Sequence, residues 1–156
     1  MRTLLALLLL IPSLSWGADF QKGLTAANQG DYATAIKEWT PLAEQGDAAA
    51  QFNLGIIYDN GYGVEQNYKT AAKWYTLAAE QGEVSAQYNL GLLYGEGKGV
   101  IQDNIYAHMW WNIAAASGHS KATENRTIVE EIMTNADISK AQELARECVN
   151  KNYKDC

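Results

Sequence analysis

The segment Ala43 to Val64 reads AEQGDAAAQFNLGIIYDNGYGV. Thirty-six residues later, Ala79 to Val100 reads AEQGEVSAQYNLGLLYGEGKGV, and 13 of the 22 positions are identical. No other feature of the sequence restricts the fold as much. A unit of this length cannot bury its apolar face alone, so copies must stack, each contacting its neighbours. The register runs beyond the quoted stretch. Gly46, Gly82 and Gly118 are in phase, and so are Asp31, Asn67 and Asp103. Trp39, Tyr75 and Trp111 share a second position, and Ala50, Ala86 and Ala122 a third.

These phases place helices. Asp31, Asn67 and Asp103 are preferred N-cap types, each just ahead of a helical pattern. From each cap to each glycine the spacing predicts a B helix: Tyr32 to Gln45, Tyr68 to Gln81, and Asn104 to Ser117. In the second, Ala71, Ala72, Tyr75, Ala78 and Ala79 recur three and four apart, one face of a helix. The glycine then supplies the left-handed residue that ends it. Asp47 caps an A helix from Ala48 to Asn60; Glu83, a weaker cap type, precedes another from Val84 to Gly95. Their buried stripes are Ala50, Leu54, Ile57 and Tyr58, and Ala86, Leu90, Leu93 and Tyr94. Gly55 and Gly91 sit mid-helix, where glycine costs about 1 kcal/mol relative to alanine. The expected compensation is close approach of the partner helix with no side chain between. The loops DNGYGVEQ and GEGKGVIQ predict turns with positive φ, pinned by Val64 and Val100 packing inward.

Antiparallel helices alternating at this period make an all-α fold, an α-solenoid of helix pairs. The pattern A-x-x-x-L-G-x-x-Y-x-x-G-x-G-V, followed by W-Y-x-x-A-A-x-x-G, resembles the Sel1-like repeat, a relative of the tetratricopeptide repeat. Ala50, Leu54, Gly55, Tyr58, Gly61, Gly63 and Val64 carry the likeness in one copy. Ala86, Leu90, Gly91, Tyr94, Gly97, Gly99 and Val100 carry it in the next, continued by Trp110, Trp111, Ala115, Ala116 and Gly118. The ends depart from the pattern. Residues 18–46 form a tetratricopeptide-like helix pair without the G-x-G-V loop; 47–82 and 83–118 are the repeats. Residues 119–156 are a C-terminal cap, in which Thr127 and Glu130 replace the glycine and tyrosine. Its last helix opens on Thr134-x-x-Asp137, a capping-box-like start, and shows Ile138, Ala141, Leu144, Ala145 and Cys148 at helical spacing. The expected role of this closing helix is to cover the last hydrophobic face.

Residues 1–17 read as a secretory signal peptide. Arg2 is a short positive region, Leu4 to Ile11 is apolar but too short to span a bilayer, and Ser15 and Gly17 are small residues at −3 and −1 of a cleavage site. The expected mature chain is exported to the periplasm, or secreted, with no transmembrane segment. Cys148 and Cys156 are the only cysteines. In an exported chain they predict one local disulfide. A metal or redox pair fits less well, because no histidine neighbours them and the spacing is not C-x-x-C. The net charge of −6, with no basic cluster, argues against nucleic acid and against an anionic membrane.

Catalytic constellations are missing from the sequence. There is no H-E-x-x-H, no S-x-x-K and no phosphate-binding glycine loop. His108 shares its phase with Ile36 and Ala72, the setting of a packed histidine, and His119 lies in a turn. No enzyme activity, metal or other cofactor is expected. The resemblance implies one rival: cysteine-rich exported Sel1-like proteins are associated with penicillin binding, which would point to a cell-wall or β-lactam-directed hydrolase. Those relatives carry a cysteine pair within each repeat, and this chain has none there.

The expected function is protein–protein or peptide binding along a concave face lined by A helices. Candidate contacts are the non-core positions Gln51, Asn53, Gln87 and Asn89. An alternative role for these amides is hydrogen bonding to neighbouring backbone. Loop positions that differ between copies, Asp59, Asn60, Tyr62, Glu96 and Lys98, would tune partner choice. Trp74 and Trp110 align with Glu38, so they are expected to be the partly exposed members of the aromatic set. The partner is an unknown protein or peptide.

Overall fold

A computed structural model describes residues 18–156. The signal peptide expected over residues 1–17 lies outside the described residues. Every described element is an α-helix: α1 (Phe20–Asn28), α2 (Tyr32–Glu44), α3 (Ala48–Asn60), α4 (Tyr68–Ala79), α5 (Val84–Glu96), α6 (Asn104–Ala116), α7 (Ser120–Glu130) and α8 (Asn135–Asn150). The periodicity therefore locates the repeat helices to within two residues at each end.

The termini form as the cap residues dictate. Asp31 accepts the backbone N–H of Thr34, Asn67 that of Thr70, and Asp103 those of Ile105 and Tyr106. Glu83, despite its weaker cap type, accepts from Ser85 N. Gly46, Gly82 and Gly118 have φ of 97°, 85° and 91°. After each, the next residue's N–H reaches back into the helix: Asp47 to Leu42 O, Glu83 to Ala78 O, and His119 to Ala114 O. This six-to-one bond closes the helix and turns the chain into the next one.

The pairs α1·α2, α3·α4 and α5·α6 stack through α2·α3, α4·α5 and α6·α7. Three aromatic seats set their spacing. A Cβ on Gly91 would lie 2.5 Å from Nε1 of Trp111, and one on Gly23 2.5 Å from Nε1 of Trp39. A Cβ on Gly55 would run into the ring of Tyr75. The expectation of helices touching with nothing between is thus corrected. A ring from the following B helix lies in the space that the absent side chain leaves. The N-terminal pair uses the same device through Gly23 and Trp39, although its loop is shorter. Each indole also donates to a carbonyl one turn before its glycine, Trp39 to Phe20 O and Trp111 to Tyr88 O, both at 3.2 Å.

The glycine loops join successive pairs. A Cβ on Gly63 would meet Cβ of Tyr32, and one on Gly99 would meet the backbone of Tyr68, the first residues of α2 and α4. Val64 and Val100 are half-buried and pack against the core, as expected.

The C-terminal helix breaks the pattern. In place of pairing with α7, α8 lies against α6. Ala141, Ala145 and Cys148 are buried, and Ala145 and Cys148 join Met109, Trp110 and Ile113 in the central core. The hydroxyl of Thr134 accepts Asp137 N and donates to the Asp137 carboxylate. Cys148 and Cys156 form a disulfide with a Cα–Cα distance of 5.3 Å. Inside the loop it closes, the Tyr153 ring lies where a Cβ on Gly82 would touch it.

Replacing Gly91 with alanine would improve helix propensity by about 1 kcal/mol on its own. The Trp111 ring leaves no room for the methyl group, and overpacking of this kind costs about 1–3 kcal/mol. Gly91→Ala should therefore lower the denaturant midpoint in chemical unfolding. The same substitution at Gly46 meets open space and tests only the positive φ.

Candidate functional site

Neighbouring A helices line one side of the stack. Among the A helices, α3 and α5 approach one another directly. The fate of each expected contact follows from its place on these helices.

Gln51 and Gln87 are buried, at 3% and 1% exposure. Gln51 Nε2 donates to Ala43 O and Gln87 Nε2 to Ala79 O, at 2.9 and 3.3 Å. These carbonyls belong to the last turn of the preceding B helix, where each also accepts the N–H of the terminal glycine, Gly46 or Gly82. The two glutamines are therefore removed from the contact set, because their amides cap a neighbouring helix and do not reach the surface. Gln81 also donates to Gln51 Oε1 at 2.7 Å. The third copy has Ser117 at that phase, and Gln87 Oε1 has no partner among the described residues.

Asn53 and Asn89 are half-buried on the A layer. Asn53 donates to Ala49 O in its own helix, and Asn89 lies within hydrogen-bonding reach of the Tyr75 hydroxyl. That hydroxyl donates to Asp59 Oδ2 at 3.1 Å. Tyr75, seated on Gly55, thus extends its polar tip between α3 and α5. Burial, and then the Asp59 charge, push the phenol upward, opposed by Asn89. Burial also pushes the Asp59 carboxyl above the usual carboxylate range, opposed by the Tyr75 hydroxyl and Lys98.

Tyr62 and Lys98 hold equivalent loop positions and do equivalent work. The Tyr62 ring stacks on Tyr32 with centroids 4.9 Å apart, and the Lys98 ammonium sits 5.2 Å over the Tyr68 ring. Tyr32 and Tyr68 are in phase at the starts of α2 and α4. Both loop residues therefore seal a seam between successive pairs while keeping an exposed edge. Lys98 also pairs with Glu96 at 2.6 Å.

Trp74 and Trp110 correct the expectation of partial exposure, at 9% and 2% exposed. Glu38, at the same phase, is itself only 3% exposed. Its carboxylate is paired with Lys22 and accepts the N–H of Asp19. The Lys22 hydrogen bond, followed by that backbone bond, holds the Glu38 carboxyl below its ordinary value. The position is interior in all three copies, and α1 brings the charge that permits a glutamate there. His108 is fully buried, with Nε2 2.7 Å from Glu130 Oε1. Arg126 joins the same junction by donating to Asn112 Oδ1, tying α6 to α7.

One groove on the A layer was not foreseen. It lies between α5 and α7 over Trp111, with a volume of about 470 Å³. Its open apolar wall is Ile128 and Ile132, 63% and 75% exposed. The sequence signal was present, since Gly95 and Trp111 occupy the phases of Asp59 and Tyr75, and an apolar pair replaces a polar one.

A family model of the Sel1 repeat matches residues 48–83 and 84–119. The protein carries two Sel1 repeats. Solved structures agree on the fold of this Sel1-repeat chain. A protective antigen present in uropathogenic Escherichia coli strains, displaying an SLR fold, is 31% identical with a TM-score of 0.78, over 84% of this chain and 30% of that one. A Sel1 repeat protein from Oxalobacter formigenes is 36% identical with a TM-score of 0.66, over 69% and 44%. Helicobacter pylori cysteine rich protein B shares the fold at 21% identity and a TM-score of 0.54, over 67% and 89%. The chain thus spans less than half the length of the first two. No curated protein matches it. Sel1-repeat solenoids commonly mediate protein–protein interaction, and the scaffold is generally non-catalytic.

The raised Asp59 carboxyl gives a signed prediction. The folded protein holds this proton more tightly than the unfolded chain, so the ionised form costs stability at neutral pH. That cost fades as pH falls through the folded value and is gone below the ordinary 3.8. Asp59→Asn keeps an acceptor for Tyr75. It should raise the melting temperature at pH 7, with the gain disappearing in acid. A gain that grows on acidification would reverse the assignment.

Proposed function

We propose that this Sel1-repeat protein is an exported, periplasmic binding module that takes a segment of another protein along its A-helix layer. The observation that carries the reading is the contrast between the two layers. The B layer is partly closed by α8, which packs on α6. On the A layer, half-buried Asn53, Asp59 and Asn89 and the groove over Trp111 stand side by side without a covering element among the described residues. Polar groups beside an apolar groove suit a segment that offers both backbone and side-chain contacts.

Export is supported by the leader-like residues 1–17 and by the Cys148–Cys156 disulfide, a bond that persists in oxidising compartments. No helix among the described residues is long and apolar enough to cross a membrane.

Position-specific photocrosslinking in cells tests both parts. A crosslinker at Asn53 or Asn89 should trap a discrete protein partner, while one at the exposed B-helix residues Lys37 or Lys73 should not. The mature chain should begin at Ala18 and fractionate with the periplasm. Adducts confined to the B positions would overturn the binding face. An unprocessed chain retained in the cytoplasm would overturn export.

A further inference from the structure

Resting on that reading, we infer that the groove between α5 and α7 is an anchor site for a bulky apolar side chain flanked by lysine or arginine in the partner protein. The repeat itself supplies the comparison. Between α3 and α5 the space is closed by a polar pair, the Tyr75 hydroxyl on Asp59. Between α5 and α7 the same phases hold Trp111 and Gly95. The Trp111 N–H is already spent on Tyr88 O. Its far ring edge lies against Gly95, where a Cβ would come within 3.2 Å of Cη2. Gly95 stands where Asp59 stands in the other copy, so the floor is apolar.

The walls extend this character. Leu92 and Val129 line the groove, and Ile128 and Ile132 remain 63% and 75% exposed beside it. Burial of aliphatic side chains of this size is favourable, a gain that this chain leaves unrealised. Two large exposed isoleucines on one groove mark an interaction surface more clearly than scattered apolar residues do.

The rim decides the flanking chemistry. Glu96 and Glu131 border the groove. A neighbouring depression shares Gln102, Asn104 and Ile132 with it and adds Asp103 and Asp137. Among the described residues, neither is lined by a lysine or arginine. Lys98, paired with Glu96, lies over Tyr68 on the preceding repeat. A cationic residue on either side of the apolar anchor would meet these carboxylates, and an acidic flank would be repelled.

The test uses the mature chain and twelve-residue peptides carrying one Leu or Phe at the centre of a Gly/Ser background. One set has lysines flanking the apolar residue at spacings of one to four. Matched sets carry glutamates in place of the lysines, or alanine in place of the apolar residue. Binding is read by NMR from the Trp111 indole N–H and the methyl groups of Ile128 and Ile132. At least one lysine-flanked peptide should shift these signals saturably. Its glutamate counterpart should bind at least roughly tenfold more weakly, as should the complex with an Ile128→Ser, Ile132→Ser variant. Both positions are exposed, so this variant should keep the parent's circular dichroism. If it does not, Glu96→Gln with Glu131→Gln replaces it and should weaken only the lysine-flanked peptides.

Three results would overturn the inference: no lysine-flanked peptide shifting the groove signals, equal binding of the glutamate set, or groove signals that move with protein concentration alone as the chain dimerises. Photocrosslinks at Asn53 or Asn89 would persist if only the anchor assignment fails. Their loss as well would mean that the A-layer reading itself has failed.

Discussion

An aromatic ring laid flat on a helical glycine is the contact from which the rest of this solenoid follows. Gly23 receives Trp39, Gly55 receives Tyr75 and Gly91 receives Trp111. Each glycine costs its helix about 1 kcal/mol, whereas burying a large apolar side chain returns about 1.5–3 kcal/mol. The exchange favours the seat and fixes distance and rotation within each helix pair. The remaining elements serve it. Glycine-ended B helices deliver the next A helix, buried glutamines satisfy the helix ends, and glycine loops lock each pair to the one before.

Because the seats are so alike, small differences at their tips decide what the A layer presents. A tyrosine tip reaches through the seat to Asp59 and makes a polar, closed joint. A tryptophan turns its N–H back into the helix and leaves a ring edge outward. With Gly95 in the place of Asp59, that edge becomes the floor of a groove. Functional identity in a repeat scaffold resides in such departures from the shared pattern.

Much of the architecture was legible in the sequence, because period, caps and terminal glycines are local signals. The role of Gly55 was half legible. Its cost pointed to a close approach, but phase alone does not say that residues 55 and 75 touch. The same pairing at Gly23 and Trp39 was hidden by a connecting loop four residues shorter than those of the repeats. Trp74 and Trp110 were misjudged because an ion pair from α1 makes Glu38 acceptable in the interior. Residue type left Gln51 and Gln87 between partner contact and backbone hydrogen bonding, and it is the second that they make, to carbonyls eight residues back in the preceding helix. The break at α8 did have a signal. Thr127 stands at the glycine phase and Glu147 at the aromatic phase, so α7 offers no seat and α8 packs on α6.

Hydrogen exchange of the indole N–H groups tests the central claim most directly. If the seats define the stack, the Trp39 and Trp111 indole protons, each bonded to a backbone carbonyl, exchange only when the solenoid unfolds. Their rates should follow global stability as denaturant is added. Exchange at the rate of an exposed indole, or exchange insensitive to denaturant, would contradict the account.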